Sequence, residues 1–242
     1  MPRAIVIGAA RRVGRAVAVE FARAGFDVDL TCLSARAEAD AAARECEGLG
    51  VRASVHRLDL AEPATWSEAL DAFGDGPVDA LAVVASSYAA TPWGSITVAD
   101  AEHEMRVNAI GPLLLVQSLA DRLSRSRRPG GGAVVLFGDI HADGRPRRAR
   151  APYLMSKAAI HAMTEALAVE MAPAVRVNAI APGVVAWPDD APDAERRAYE
   201  SRIPLGRPGT AVDAAHLAVA LCRDLTYVTG TVIRLDGGRW LR

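Results

Sequence analysis

Cysteine is scarce: Cys32, Cys46 and Cys222 are the only three in 242 residues, and they lack both disulfide-scaffold density and metal-ligand spacing. An odd number cannot all pair, so a reducing, cytoplasmic setting is expected. Charge of one sign is lacking too, since 28 basic and 29 acidic residues leave a formal net charge of −1. That balance gives no electrostatic drive toward nucleic acid or an anionic membrane. No apolar run reaches the roughly 18 residues of a membrane span. The N-terminus enters a strand directly, without the pattern of a signal peptide. What remains is an ordinary globular composition, 51% hydrophobic and 24% charged, long enough to bury a large core. The expected partner is a small molecule, with no nucleic acid, membrane or metal.

Short apolar runs alternate with longer amphipathic ones. Residues 3–7 read as a strand that ends at Gly8, and the turn through Arg11, Arg12, Val13 and Gly14 leads into a helix. Val13, Val17, Phe21 and Ala24 share one face of that helix. A strand, a glycine turn and a helix N-terminus form a phosphate cradle: glycine lets the backbone come close, and the first turn offers free N–H groups. The spacing is glycine, five residues, glycine, with Arg12 where a middle glycine would stand.

Further strands are predicted at 26–32, 51–57, 78–84, 133–137, 175–180 and 231–235, and helices at 37–48, 64–73, 98–126, 153–171 and 211–222. The irregular, proline-rich stretch 181–209 is long enough to be a binding loop. Strands separated by helices, with no break in composition, predict an α/β fold. It is a single doubly wound Rossmann-type domain over 1–242, with a seven-stranded parallel sheet and helices on both faces. Residues 1–130 would form its cofactor half and 131–242 its catalytic half with the substrate loop.

Ligands of such a sheet sit beyond the carboxyl ends of the strands, where Gly8, Asp59, Ala85, Asp139 and Gly183 fall. The second strand ends in Leu33-Ser34-Ala35-Arg36, without the acid that would hold a ribose 2′-hydroxyl. A hydroxyl and a guanidinium suit a 2′-phosphate, which favours NADPH over NADH. Asp59-Leu60 places a carboxylate where an adenine amino group can donate.

Tyr153 and Lys157 stand four apart, on one face of a predicted helix. An ammonium beside a phenol favours the phenolate and lowers the tyrosine pKa from about 10. Such a tyrosine can pass a proton to a substrate as hydride arrives.

The run Gly8 to Gly14, Asn108 in Arg-Val-Asn-Ala, Tyr153-x-x-x-Lys157, Pro182-Gly183 and the ending Leu235-Asp-Gly-Gly238 occur in order. Over nearly its whole length the chain resembles the short-chain dehydrogenases/reductases. The resemblance implies that Tyr153 donates the proton, Lys157 lowers its pKa and binds the nicotinamide ribose, and Asn108 positions a relay water. It implies a cofactor lined by the Gly8–Gly14 turn, Ser34, Arg36, Asp59 and Leu60, then by Ala85, Ser86, Pro182, Gly183 and Val185. A homotetramer is implied as well, packed partly through the small face Ala158, Ala159, Ala162 and Ala166.

Three departures stand out. Val83-Val84-Ala85-Ser86-Ser87-Tyr88 replaces the family's Asn-Asn-Ala-Gly, Arg12 replaces a glycine, and Asp139 lies where a serine is usual, fourteen residues before Tyr153. Together with residues 180–188 and Asp236-Gly-Gly-Arg239, they resemble the pteridine reductase branch. That resemblance implies a substrate held by Arg12, Ser86, Tyr88, Asp139, Tyr153 and Trp187, with Asp139 a catalytic residue that acts with Tyr153 as one proton-donor system and the Tyr88 ring stacked on a pterin. A carboxylate at 139 would repel the alkoxide that a serine stabilises, which disfavours a ketone or 3-oxoacyl-carrier-protein reductase. The remote alternative is a non-catalytic NADP(H)-binding sensor. His141 reads as a loop residue, the run Arg145, Arg147, Arg148 and Arg150 as a solvated face, and Arg239 and Arg242 as arginines that reach a neighbouring subunit's site.

Overall fold

Beyond its first residue β1 (Arg3–Ile7) is wholly buried, and its side chains alternate between two cores. Ala4 and Val6 join Val17, Phe21, Ala42 and Ala218 on one side. Ile5 and Ile7 join Phe73, Leu115, Leu119 and Ile160 on the other. A strand buried on both faces belongs inside a sheet covered by helices above and below. This is the arrangement in the computed structural model, which describes residues 1–187 and 191–242.

The other strands are β2 (Asp27–Cys32), β3 (Ala53–Arg57), β4 (Ala80–Val83), β5 (Gly132–Phe137), β6 (Val175–Pro182) and β7 (Val232–Leu235). All neighbours pair in parallel, in the order β3-β2-β1-β4-β5-β6-β7. The winding reverses between β1 and β4, so the ligand crevice opens above their carboxyl ends. Helices α1 (Arg12–Arg23), α2 (Arg36–Glu47) and α8 (Ala211–Arg223) cover one face. Helices α3 (Ser67–Ala72), α5 (Gly111–Ser124) and α6 (Ala151–Glu170) cover the other.

Two stretches differ from the sequence expectation. The single helix expected over 98–126 is α4 (Val98–Met105), a wider π turn over Arg106–Ile110, and then α5. Pro112 has no N–H to give the Asn108 carbonyl four residues back, and widening the turn is the relief. Gly111 bonds instead to the Arg106 carbonyl. The stretch expected to be irregular over 181–209 contains α7 (Asp193–Glu200), whose one buried residue is Tyr199.

The first turn is built on close approach. Gly8 has φ +85, and a Cβ at Gly14 would lie 1.9 Å from the Gly8 carbonyl oxygen. Arg12 adopts φ +49, the left-handed conformation that favours glycine, so an arginine occupies a glycine-like backbone. Substituting Gly14→Ala should therefore cost about 1–3 kcal/mol, seen as a lower denaturation midpoint with a simultaneous loss of dinucleotide affinity.

Candidate active site

A cleft of about 920 Å³ runs above the carboxyl ends of the strands. At one end Gly8, Arg11, Arg12, Val13 and Gly14 form its floor. Thr31 fixes this turn by accepting from the Gly8 N–H at 3.1 Å, and its carbonyl accepts from Ala9. Unlike α4 and α8, which open on Thr97 and Thr210 capping boxes, α1 has no side-chain cap. Its first N–H groups face the cleft as an anion site.

Ser34, Asp59, Leu60, Ala85, Ser86, Pro182, Gly183 and Val185 line the same cleft. Arg36 does not. Its guanidinium pairs with Asp40 at 2.8 Å along α2, because four-residue spacing brings the two together. Arg11 lies at that end instead and pairs with Glu38.

The Tyr153 side chain is almost buried, and its Oη donates to Asp139 Oδ2 at 2.8 Å. The other oxygen, Oδ1, accepts from the His141 N–H at 2.7 Å. Burial first, and then the Asp139 carboxylate, push the phenol well above its usual pKa. This corrects the expectation of a phenol lowered by Lys157. An acceptor carboxylate stabilises the protonated phenol, while the Lys157 Nζ is 5.8 Å from the tyrosine ring centroid and donates to the Phe137 carbonyl at 2.8 Å. Burial lowers Lys157 itself to about 8, against the pull of Asp139 and Glu104.

Asn108 lies behind the cleft wall, in the π turn. Its Nδ2 donates to Glu104 at 2.8 Å, to Ser156 at 3.0 Å and to the Ser87 carbonyl at 3.1 Å. Its Oδ1 accepts from Ser86 and from the Ser87 N–H. The amide expected to hold a relay water here ties the Ser86–Ser87 loop to α4 and α6. Glu104, buried and also bonded to Ser87 and Ala89, and Ser156 were not singled out from the sequence. Four-residue spacing of Glu104 and Asn108 was the available signal. The same holds for His161, four residues beyond Lys157, which meets Asp143 at 2.6 Å. Gly138 is needed there, since a Cβ would lie 2.2 Å from the His161 ring.

The far end of the cleft is aromatic and cationic. The Tyr88 ring stands edge-on to Tyr153, with centroids 4.7 Å apart. The Arg150 guanidinium lies 4.0 Å over the Tyr88 ring, and Arg147 bonds to the Tyr88 hydroxyl and to Glu195. The arginine run is therefore split: Arg147 and Arg150 line the cleft, whereas Arg145 and Arg148 are exposed. Trp187 lines the cleft and packs on Tyr199 at 5.5 Å, donating to Glu200. Pro188, the end of the 180–188 stretch, lies outside the described residues. His141 is buried in the cleft wall rather than placed in an open loop. Arg239 is also buried, 5.1 Å over Tyr199 of its own chain, which corrects its assignment to a neighbour's site.

The geometry combines a dinucleotide cradle with a buried tyrosine, lysine and asparagine at one crevice. The family model described as Enoyl-(Acyl carrier protein) reductase matches residues 8–239. The chain belongs to the short-chain dehydrogenase/reductase family. It is similar to L-rhamnose 1-dehydrogenase (NAD(P)(+)) of Sphingomonas sp. (strain SKA58), 31% identical over 98% of this chain and 95% of that one. It is 29% identical to 3-oxoacyl-(acyl-carrier-protein) reductase FabG of Aquifex aeolicus, over 97% and 95%. It is likewise 29% identical to Pteridine reductase 1 of Leishmania tarentolae, over 98% and 96%. The solved acetoin dehydrogenase of Enterobacter cloacae superposes with a TM-score of 0.87 at 28% identity, over 99% and 96%.

As a short-chain dehydrogenase/reductase, the protein is an oxidoreductase of a family that binds NAD(P)H. The Gly8–Gly14 cradle fits that cofactor: a Cβ at Gly8 would strike Ala85 and one at Gly14 the Gly8 carbonyl, so glycine at both positions keeps the turn tight enough to bring backbone N–H groups to a phosphate. When bound, NAD(P)H supplies the hydride.

Lys157 gives a pH test of the free protein. A lysine lowered from its usual 10.5 to about 8 binds fewer protons folded than unfolded. Its penalty is full below pH 8 and is relieved as pH rises from 8 to 10.5. Lys157→Met should stabilise the cofactor-free protein at pH 7 by up to about 3 kcal/mol. It should also flatten the rise in stability across that window, as measured by urea denaturation at several pH values.

Proposed function

We propose that this oxidoreductase is an NADPH-dependent reductase of a pterin or folate, with Tyr153 as the proton donor. The observation that carries the reading is the 2.8 Å hydrogen bond from Tyr153 Oη to Asp139 Oδ2. A ketone reductase gains from a neutral donor beside its developing alkoxide, and a carboxylate in that place opposes the charge. A pterin C=N bond instead needs hydride at carbon and a proton at the adjoining ring nitrogen. Tyr153, held protonated by burial and by Asp139, keeps that proton available at neutral pH. The ring nitrogen takes it, and Lys157 and Asp139 set the field in which the phenol is reloaded.

Tyr88 supports the reading as a flat surface at the cleft mouth, 43% exposed and backed by Arg150. Arg12, Ser86 and Trp187 complete the substrate's surroundings, while Ala85, Pro182, Gly183 and Val185 are assigned to the nicotinamide end. NADPH preference rests on Ser34 in the cleft, with no acid at the end of β2; Arg11 and Arg36 would have to leave Glu38 and Asp40 to contribute. A homotetramer is supported by apolar exposure along α5 and α6, including Leu113, Met155 and Val169 beside Ala158 and Ala162.

Similarity at equal identity to FabG favours a second reading, reduction of a ketone or 3-oxoacyl thioester. The two separate by assay. The pterin reading expects NADPH oxidation with dihydrobiopterin or dihydrofolate, and a kcat/KM that favours NADPH over NADH. Turnover of an acetoacetyl thioester with no pterin response would overturn it. Tyr153→Phe should lower turnover at least about 100-fold while leaving NADPH affinity unchanged. Asp139→Ser should reduce pterin turnover and raise the low activity that the wild type has toward simple ketones.

A further inference from the structure

His141 sits on a short 3-10 turn, Ile140–Ala142, and is 7% exposed. Its Nδ1 lies 2.8 Å from the Arg145 carbonyl oxygen. A carbonyl can only accept, so Nδ1 carries the ring proton. The other nitrogen, Nε2, is buried and has no hydrogen-bond partner. His141 nevertheless lines the cleft, and one carboxylate joins it to the proton donor: Asp139 accepts from the His141 N–H and from Tyr153 Oη.

Four charged or titratable groups face this ring. Asp139 comes from the end of β5, Arg147 from the loop, Arg239 from the C-terminal turn, and Tyr199 from α7, edge-on at 6.4 Å. Burial lowers the imidazole's pKa. Asp139 and the Arg145 carbonyl oppose that, and Arg147 and Arg239 assist it. The neutral ring therefore presents a bare acceptor at Nε2. A buried acceptor left unmet costs free energy, and a ligand donor removes that cost.

We propose that His141 orients the substrate, its Nε2 accepting a hydrogen bond from a ring N–H or hydroxyl next to the carbon that is reduced. Each oxygen of Asp139 already accepts one hydrogen bond, whereas Nε2 accepts none and gains most from a substrate donor. The inference deepens the pterin reading where the donor is a ring N–H, and it stands on the oxidoreductase cleft alone where the donor is a hydroxyl.

Two experiments decide it. ¹⁵N NMR of histidine-labelled free protein at pH 7 should show His141 protonated at Nδ1 and bare at Nε2; a proton on Nε2 would overturn the inference. In steady-state assays His141→Phe should raise KM for dihydrobiopterin at least about tenfold with little change in kcat. His141→Gln, whose amide oxygen replaces the acceptor, should recover most of the loss. A merely structural role would instead weaken NADPH binding and thermal stability in the phenylalanine variant. The isosteric pair hydroxyacetone and 2-butanone provides an arm free of pterin: the wild type should prefer hydroxyacetone, and His141→Phe should erase the preference. If the wild type ignores dihydrobiopterin, the pterin reading falls, and the NMR result and this pair still decide the role of His141. An unchanged preference in His141→Phe would overturn it.

Discussion

A phenol that donates to a half-buried carboxylate is the interaction on which the catalytic end of this protein depends. It sets the direction of Tyr153, holds its proton in place and spends one oxygen of Asp139. The other oxygen closes the turn that carries His141, so a single carboxylate fixes both the acid and the neighbouring wall of the cleft. Lys157 answers to the same strand end from below, through the Phe137 carbonyl. Gly138, between these residues, lets His161 come close enough to anchor Asp143 and the arginine loop beyond it. The β5–α6 connection thus reads as one electrostatic unit rather than as a set of separate catalytic residues.

The sheet was readable because its strands are buried on both faces and separate cleanly from amphipathic helices. Boundaries moved by a residue or two at most elements, as helix ends and strand ends commonly do. The break in the 98–126 helix was written in Gly111-Pro112, but hydrophobic periodicity continues across a π turn and masks it. Helix α7 was missed for the opposite reason: one buried ring gives almost no periodic signal.

At the site, spacing along one helix gave the pair Tyr153 and Lys157, and the missing serine pointed to Asp139 beside them, but not the direction in which burial and that carboxylate move the phenol. Sequence proximity misled at Arg36, whose nearest acid on its own helix takes it out of the cleft. Glu104 and Ser156 escaped notice because their importance arises only when α4, α6 and the loop after β4 meet at Asn108. Composition alone could not sort the arginine run, whose members alternate between solvent and cleft along a loop with positive φ at Arg145 and Ala149.

Tyr199 is the only residue that α7 buries, and its ring is shared by Trp187, His141, Arg147 and Arg239. The other seven positions of that helix owe nothing to either core of the sheet. They can drift under selection at little cost to folding, provided that the aromatic anchor persists. A scaffold divided this way lets substrate choice diversify among descendants while the hydride-transfer machinery stays under separate constraint.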